Sequence, residues 1–200
     1  MPPYIVLRDV FDRETVDGLL AFAKAHRYEF SPTKLGGKEV KVSVRLSEAL
    51  RELGPLRHIL ESKILELAPA LVRNLGMAPF EFTKPEIELV AHRDGALFKP
   101  HTDTLTAHYN ESERVRVLSA VYYFHAEPKQ FTGGTLRLYP IGAVAGGQFI
   151  DIEPVLNGLV VFPSWVRHEV LVVNCPSGDF ADSRFAVNFW LSRNKPAAPA

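Results

Sequence analysis

The sequence predicts an α+β fold in which N-terminal helices buttress a jelly roll of about eight antiparallel strands. Three observations carry that expectation. Apolar residues recur at helical spacing up to Gly76 and at a period of two after residue 80. Short β-rich runs then follow one another at near-regular spacing, separated by turn signals such as Asp94-Gly95, Gly133-Gly134, Gly146-Gly147 and Asn157-Gly158. Finally, 200 residues at 46% hydrophobic and 23% charged is the size and make-up of one soluble domain. Such a chain buries enough surface to need neither disulfides nor a structural metal. A small barrel would satisfy the same pattern.

The helices come first. Asp12 is placed to cap a helix from about Arg13 to His26, with Phe11 packing back on its first turn. Val16, Leu19, Leu20 and Ala23 form one apolar face of it. A polar, Gly-containing stretch follows from Ser31 to Val44, in which Val40, Val42 and Val44 alternate as in a half-buried strand. A second helix fits Pro55 to Asn74, with Leu56, Leu60, Ile64, Leu67 and Leu71 as its stripe. Pro69 is expected to kink it and Gly76 to end it.

The strands expected after residue 80 are Glu81–Ala91, Ala96–Lys99, Arg114–Phe124, Thr135–Tyr139, Gln148–Ile152, Gly158–Phe162, Glu169–Val173 and Arg184–Ser192. Residues 1–80 thus read as helical and strand support within the same domain, 81–194 as the core, and 195–200 as a flexible tail.

Charge and cysteine usage exclude several functions. Twenty-three basic residues balance 23 acidic ones, which argues against nucleic acid or an anionic membrane as partner. The single cysteine, Cys175, excludes an intrachain disulfide and any cysteine-rich zinc or iron–sulfur cluster. No secretory h-region opens the chain and no apolar run approaches a membrane span, so a cytoplasmic protein is expected.

Seven histidines remain to be weighed. His26 and His58 fall on the predicted helices and His108 in a polar loop, where structural or surface roles suffice. His101-Thr102-Asp103 differs, because residues i and i+2 at the end of a strand project from one face. His168 follows the apolar strand ending at Phe162, and in a jelly roll the two strands can be neighbours. Two imidazoles and a carboxylate would then cap one face of a metal and leave three adjacent positions open, which favours non-haem Fe(II). The same ligands also suit catalytic zinc. Arg184, sixteen residues beyond His168, opens an alternating strand. It is either a surface ion pair or, if turned inward, a group that requires a carboxylate partner such as a dicarboxylate co-substrate.

At this point the chain resembles a known family. Three blocks carry the likeness: Leu89 to Asp103; Arg116 to His125 leading to Gly133-Gly134 and Tyr139; and Phe149 to Pro154, Phe162 to Val170 and Phe180 to Trp190. In this order they resemble the Fe(II)/2-oxoglutarate-dependent dioxygenases of the prolyl 4-hydroxylase superfamily, most closely the EGL-nine-type branch of hypoxia-inducible-factor prolyl hydroxylases and bacterial relatives. The resemblance implies a double-stranded β-helix. It implies His101, Asp103 and His168 as iron ligands and Arg184 as the partner of the distal carboxylate of 2-oxoglutarate. Tyr123 would hydrogen-bond that same carboxylate, and Arg116 and Trp190 would stand on the substrate side. Each also has a plainer reading: Tyr123 and Trp190 as packed aromatics, Arg116 as an ordinary salt bridge.

The departures are informative. His92 stands where the family often has tyrosine; it could donate to a carboxylate or attract a second metal. His125 replaces the usual asparagine of Tyr-Leu-Asn, and His168 and Arg184 are farther apart than in collagen-type members. Asp103 favours hydroxylation over halogenation, since related halogenases carry a small residue there. The implied reaction hydroxylates an unactivated C–H bond, most simply of a prolyl residue in a peptide or protein, consuming O2 and releasing succinate and CO2, with ascorbate as reductant. Free proline or another small metabolite is the alternative substrate. Ser31–Arg45 and Thr104–Glu113 are the segments expected to select it. A metal hydrolase would use the same three ligands but gives Arg184 no task, and a non-catalytic binding module would give none of them one.

Overall fold

The structure is a computed structural model and describes residues 1–33, 43–104, 113–142 and 147–195. In chain order its elements are β1 (Ile5–Leu7), α1 (Arg13–Ala25), β2 (Ser31–Pro32), β3 (Arg45–Leu46), β4 (Glu48–Leu50), α2 (Leu56–Asn74), β5 (Glu86–His92) and β6 (Leu97–His101). Then follow β7 (Arg114–Phe124), β8 (Thr132–Gly133), β9 (Leu136–Leu138), β10 (Ile150–Ile152), β11 (Gly158–Pro163), β12 (His168–Val170), β13 (Val173–Asn174) and β14 (Arg184–Asn194).

Both helices begin and end for reasons the sequence carries. The Asp12 carboxylate accepts from the Thr15 N–H at 2.8 Å and caps α1. At the end of α2, Gly76 adopts φ +68°; its N–H bonds the Arg73 carbonyl and that of Met77 bonds Val72, closing the helix as a Schellman turn. α2 runs continuously through the exposed Pro69.

A seven-stranded sheet, ordered β1-β11-β7-β14-β5-β4-β2, faces a five-stranded sheet, β10-β9-β12-β6-β3; β13 and β8 form a separate pair. All pairings are antiparallel and the described strands do not close into a barrel. This is the double-stranded β-helix layout that the resemblance implies, and of the jelly roll and the barrel that the turn spacing allowed it is the jelly roll. Strict alternation sorts the large sheet's residues. Phe185, Val187, Phe189 and Leu191 of β14 pack on the helices together with Tyr122 and Phe124 of β7, Leu19 of α1 and Leu60 of α2. Tyr123 and Ala186 turn the other way, towards Leu136, Leu138, Val160 and Phe162 between the sheets. Leu60 is completely buried at the helix–sheet contact, so Leu60→Ala is expected to destabilise by about 2–5 kcal/mol. Denaturant unfolding measures this, and a midpoint unchanged from wild type would contradict the packing.

Differences from the sequence reading lie in short segments. Strands β1, β2, β3, β4 and β8 span two or three residues, too few for alternation to register. The first strand after residue 80 begins at Glu86, directly after Pro85, which has no N–H for the ladder. The expected Glu169–Val173 strand is divided between β12 and β13, which belong to different sheets. Of the expected 40–44 strand, Ser43 and Val44 form a turn, and residues 34–42 lie outside the described residues. So do His108, most of the Thr104–Glu113 segment and residues 196–200. No helix among the described residues is long and apolar enough to cross a membrane.

Candidate active site

The two sheets enclose the candidate residues. His101 ends β6 and His168 begins β12, and the two are directly paired across the antiparallel ladder, with ring centroids 4.2 Å apart. Asp103 is not on the strand. It lies in the bend beyond β6, where its N–H and that of Thr104 both donate to the Ser164 carbonyl. That bend, rather than strand alternation, brings the carboxylate to the imidazoles. Its Oδ1 is 3.8 Å from His101 Nε2 and its Oδ2 3.6 Å from His168 Nε2. The three ligand atoms lie within 4.8 Å of one another, the one such grouping among the described residues able to hold a metal.

Both imidazoles are set for ligation by their other nitrogen. His101 Nδ1 faces the Lys99 carbonyl at 2.8 Å and His168 Nδ1 the Val166 carbonyl at 2.9 Å. A carbonyl only accepts, so Nδ1 carries the proton and Nε2 presents a lone pair. Burial and the neighbouring His168 lower the His101 pKa to about 3, which keeps it neutral as a metal ligand must be. Burial pushes the Asp103 carboxyl up, but His168, His101, Ser119 and the Trp190 indole together outweigh it and hold the group below the ordinary aspartate range. Phe98 stacks on His101 at 3.5 Å and Phe162 meets His168 edge-on, so both rings are fixed by packing.

Arg184 lies at one end of the inner face of the seven-stranded sheet. It is 1% exposed at the start of β14, in register with His92 on β5. Its Nε donates to the Gly134 carbonyl at 2.8 Å and its Nη1 to His92 Nδ1 at 3.2 Å. Burial and the Arg184 charge push His92 well below its ordinary value, so His92 is the neutral acceptor for arginine. His92 therefore orients the guanidinium and is not part of a second metal cluster among the described residues. Tyr123, also 1% exposed, places its ring 4.8 Å below the guanidinium carbon. Among the described residues, Arg184 Nη2 and Tyr123 Oη have no hydrogen-bond partner. Two buried donors left unmade side by side cost about 1–3 kcal/mol each. A carboxylate entering between the sheets would accept from both.

The opposite end carries Arg116 and Trp190. Arg116 makes a two-point ion pair with Glu86, at 3.1 and 2.5 Å, and stacks 4.0 Å over the half-buried Trp190 ring. The salt bridge and the stacked tryptophan thus stand together beside Asp103, on the side away from Arg184. His125 turns elsewhere: its Nδ1 meets the Ala126 carbonyl and its ring packs on Phe131. His26 follows the last residue of α1 as its C-cap, and His58 lies on α2.

Several contributors escaped the sequence reading. Gly134, read only as a turn, supplies the carbonyl under Arg184. Glu88 is buried on the inner face of β5 and pairs with both Arg45 and Arg51, at 3.3 and 2.5 Å, so that residues 45–51 tie the two sheets together. Ser119 and Ser164 lie behind Asp103. A polar residue at an inward position of an otherwise apolar strand is the signal that Ser119 offered.

Comparison with known proteins identifies a family and shared folds. The family model described as the 2OG-Fe(II) oxygenase superfamily matches residues 87–192. The chain is 36% identical over 148 residues to an uncharacterized PKHD-type hydroxylase of Synechocystis sp., a match covering 72% of this chain and 48% of that protein. It thus spans about half the length of that curated relative. Among solved structures, a Pseudomonas putida prolyl-4-hydroxylase superposes with a TM-score of 0.71 at 22% identity, covering 98% of this chain and 95% of that one. A Trichoplax adhaerens prolyl hydroxylase, in complex with a hypoxia inducible factor peptide fragment, gives 0.65 at 16% identity over 96% and 84%. Both share the fold.

Proposed function

Because the chain belongs to the 2OG-Fe(II) oxygenase superfamily, we propose that it hydroxylates a prolyl residue in a peptide or protein, with His101, Asp103 and His168 as the iron ligands. One observation carries the co-substrate side of this reading: the buried Arg184 Nη2 and Tyr123 Oη, without a hydrogen-bond partner among the described residues, which an apolar pocket filler would leave unsatisfied. A zinc hydrolase would use the same three ligands but has no use for a guanidinium buried against Tyr123.

When bound, Fe(II) and 2-oxoglutarate would supply the oxidation itself, converting a C–H bond to C–OH while O2 and 2-oxoglutarate are consumed and succinate and CO2 are released, with ascorbate serving only to keep the iron reduced. The protein's part is positional. His101 and His168 offer their Nε2 atoms, the rings oriented through Nδ1 by the Lys99 and Val166 carbonyls. Arg184, oriented by Gly134 and His92, and Tyr123 hold the distal carboxylate. Phe162, Leu136, Leu138 and Val160 exclude water from the space between the sheets. Arg116 and Trp190 form the wall that the target ring meets. A stacked guanidinium–indole pair offers an apolar face with polar edges, which suits a compact, apolar prolyl ring, lacking an N–H and flanked by amides. The prolyl hydroxylases among the fold neighbours, one holding a peptide, support that substrate class.

The test is an anaerobic titration of apoprotein with Fe(II) and then 2-oxoglutarate, following the visible charge-transfer band. Wild type is expected to develop it and Asp103→Ala to show neither tight iron binding nor the band. Bound iron without a band rejects the co-substrate. Proline-containing peptides and free proline, supplied with O2, then separate the two substrate classes by which gains one oxygen in the mass spectrum.

A further inference from the structure

Two serines lie behind Asp103 and neither is used by the chemistry above. Ser119 is on the inward face of β7 and is 1% exposed; Ser164 follows the last residue of β11 and is wholly buried. Ser119 Oγ donates to Asp103 Oδ2 at 2.7 Å, and Ser119 and Ser164 hydroxyls are 2.9 Å apart. A carboxylate only accepts, so the single Ser119 proton is committed to Asp103. The Ser164 hydroxyl must then donate to Ser119. The result is a directed chain, Ser164 to Ser119 to Asp103, in which each bond strengthens the next.

Ser164 also acts through its main chain. Its carbonyl accepts from the Asp103 and Thr104 N–H groups at 2.9 and 3.1 Å, and its own N–H is tied to the Val117 carbonyl at 2.9 Å. Asp103, which no strand holds, is therefore fixed at its backbone by one serine and at its side chain by the other. The same Ser164 leads into the turn that ends at His168, so one short stretch of chain links the Asp103 bend to a second ligand position.

We propose that Ser119 and Ser164 are positioning residues that orient Asp103 as a one-oxygen metal ligand. By occupying Oδ2 they disfavour two-oxygen chelation, which would block one of the open coordination positions. This rests on the assignment of His101, Asp103 and His168 as the metal centre. Outer partners of ligating carboxylates commonly tune metal affinity about ten- to hundred-fold.

The experiment is titration of apoprotein with Co(II) alone, without 2-oxoglutarate or substrate, reading both affinity and the shape of the visible absorbance. Ser119→Ala is expected to bind Co(II) about ten- to hundred-fold more weakly and to alter the absorbance, with the apoprotein's melting temperature close to that of wild type. Ser164→Ala keeps the carbonyl contacts and removes only the far end of the chain, so a smaller loss in the same direction is expected. Wild-type affinity and spectrum in Ser119→Ala overturn the proposal; wild-type behaviour in Ser164→Ala alone overturns the relay. Should Ser119→Ala fail to fold, the Ser164→Ala titration decides by itself. If wild-type protein binds Co(II) no better than Asp103→Ala, the metal centre itself is wrong, an outcome distinct from either.

Discussion

Arg184→Met is expected to leave the fold and the iron centre in place while raising the dissociation constant for 2-oxoglutarate by roughly 30-fold to several thousand-fold. The range is the ~2–5 kcal/mol lost when one partner of a buried, hydrogen-bonded charge pair is removed. Methionine keeps most of the side-chain length but neither the charge nor the fork. The apoprotein should tolerate the change because, among the described residues, no carboxylate is paired with this guanidinium: its hydrogen-bond and ring contacts are a carbonyl, a neutral imidazole and a tyrosine ring. Replacing a buried charge by an apolar side chain of similar volume is commonly neutral for stability. Arg184→Lys retains the charge as a point and loses the two-point geometry, so it should fall between methionine and wild type. The measurement is the charge-transfer band as a function of 2-oxoglutarate at saturating Fe(II). A wild-type curve for the methionine variant would remove Arg184 from the co-substrate site and leave its burial without a purpose.

How much of this site the sequence disclosed depends on the kind of contact involved. His101, Asp103 and His168 were legible because metal-ligand residue types are few and the resemblance fixes their order. For Arg184 alternation left the direction open and the resemblance alone pointed it inward; in the structure it shares its face with Ala186 between the sheets. The helices were legible to within a residue or two because their caps are local: Asp12 and Thr15 are three residues apart, as are Gly76 and Arg73. What stayed hidden acts across long sequence separation through groups without an identity in the sequence. The carbonyl of Gly134 reaches Arg184 fifty residues on, and that of Ser164 reaches back to Asp103. Every residue has a carbonyl, so neither contact leaves a compositional trace. His92 shows the intermediate case. Its register with Arg184 follows from pairing β5 with β14, but its role as acceptor rather than donor follows only from the protonation that burial imposes.

Gly134→Ala tests the least visible of these contacts, and its expected effect is large for two separable reasons. Gly134 has φ +66°, in the left-handed region that costs an alanine about 1–2 kcal/mol. A Cβ there would also lie 2.6 Å from Arg184 Cδ, 2.9 Å from its Nε and 3.0 Å from Val173 Cγ2. The guanidinium stem, fully enclosed, has nowhere to retreat without giving up the Gly134 carbonyl or His92. Overpacking of this kind adds about 1–3 kcal/mol. The variant is therefore expected to lose roughly 2–5 kcal/mol of stability in denaturant unfolding. In protein that remains folded, 2-oxoglutarate binding should weaken as in the Arg184 variants while Co(II) binding stays near wild type, since the metal ligands contact neither group. Two variants then divide the site cleanly: Ser119→Ala acts on metal affinity and Gly134→Ala on the co-substrate. A Gly134→Ala protein that binds 2-oxoglutarate normally would mean that Arg184 can be seated without this carbonyl, and that the Gly133-Gly134 turn serves the fold alone.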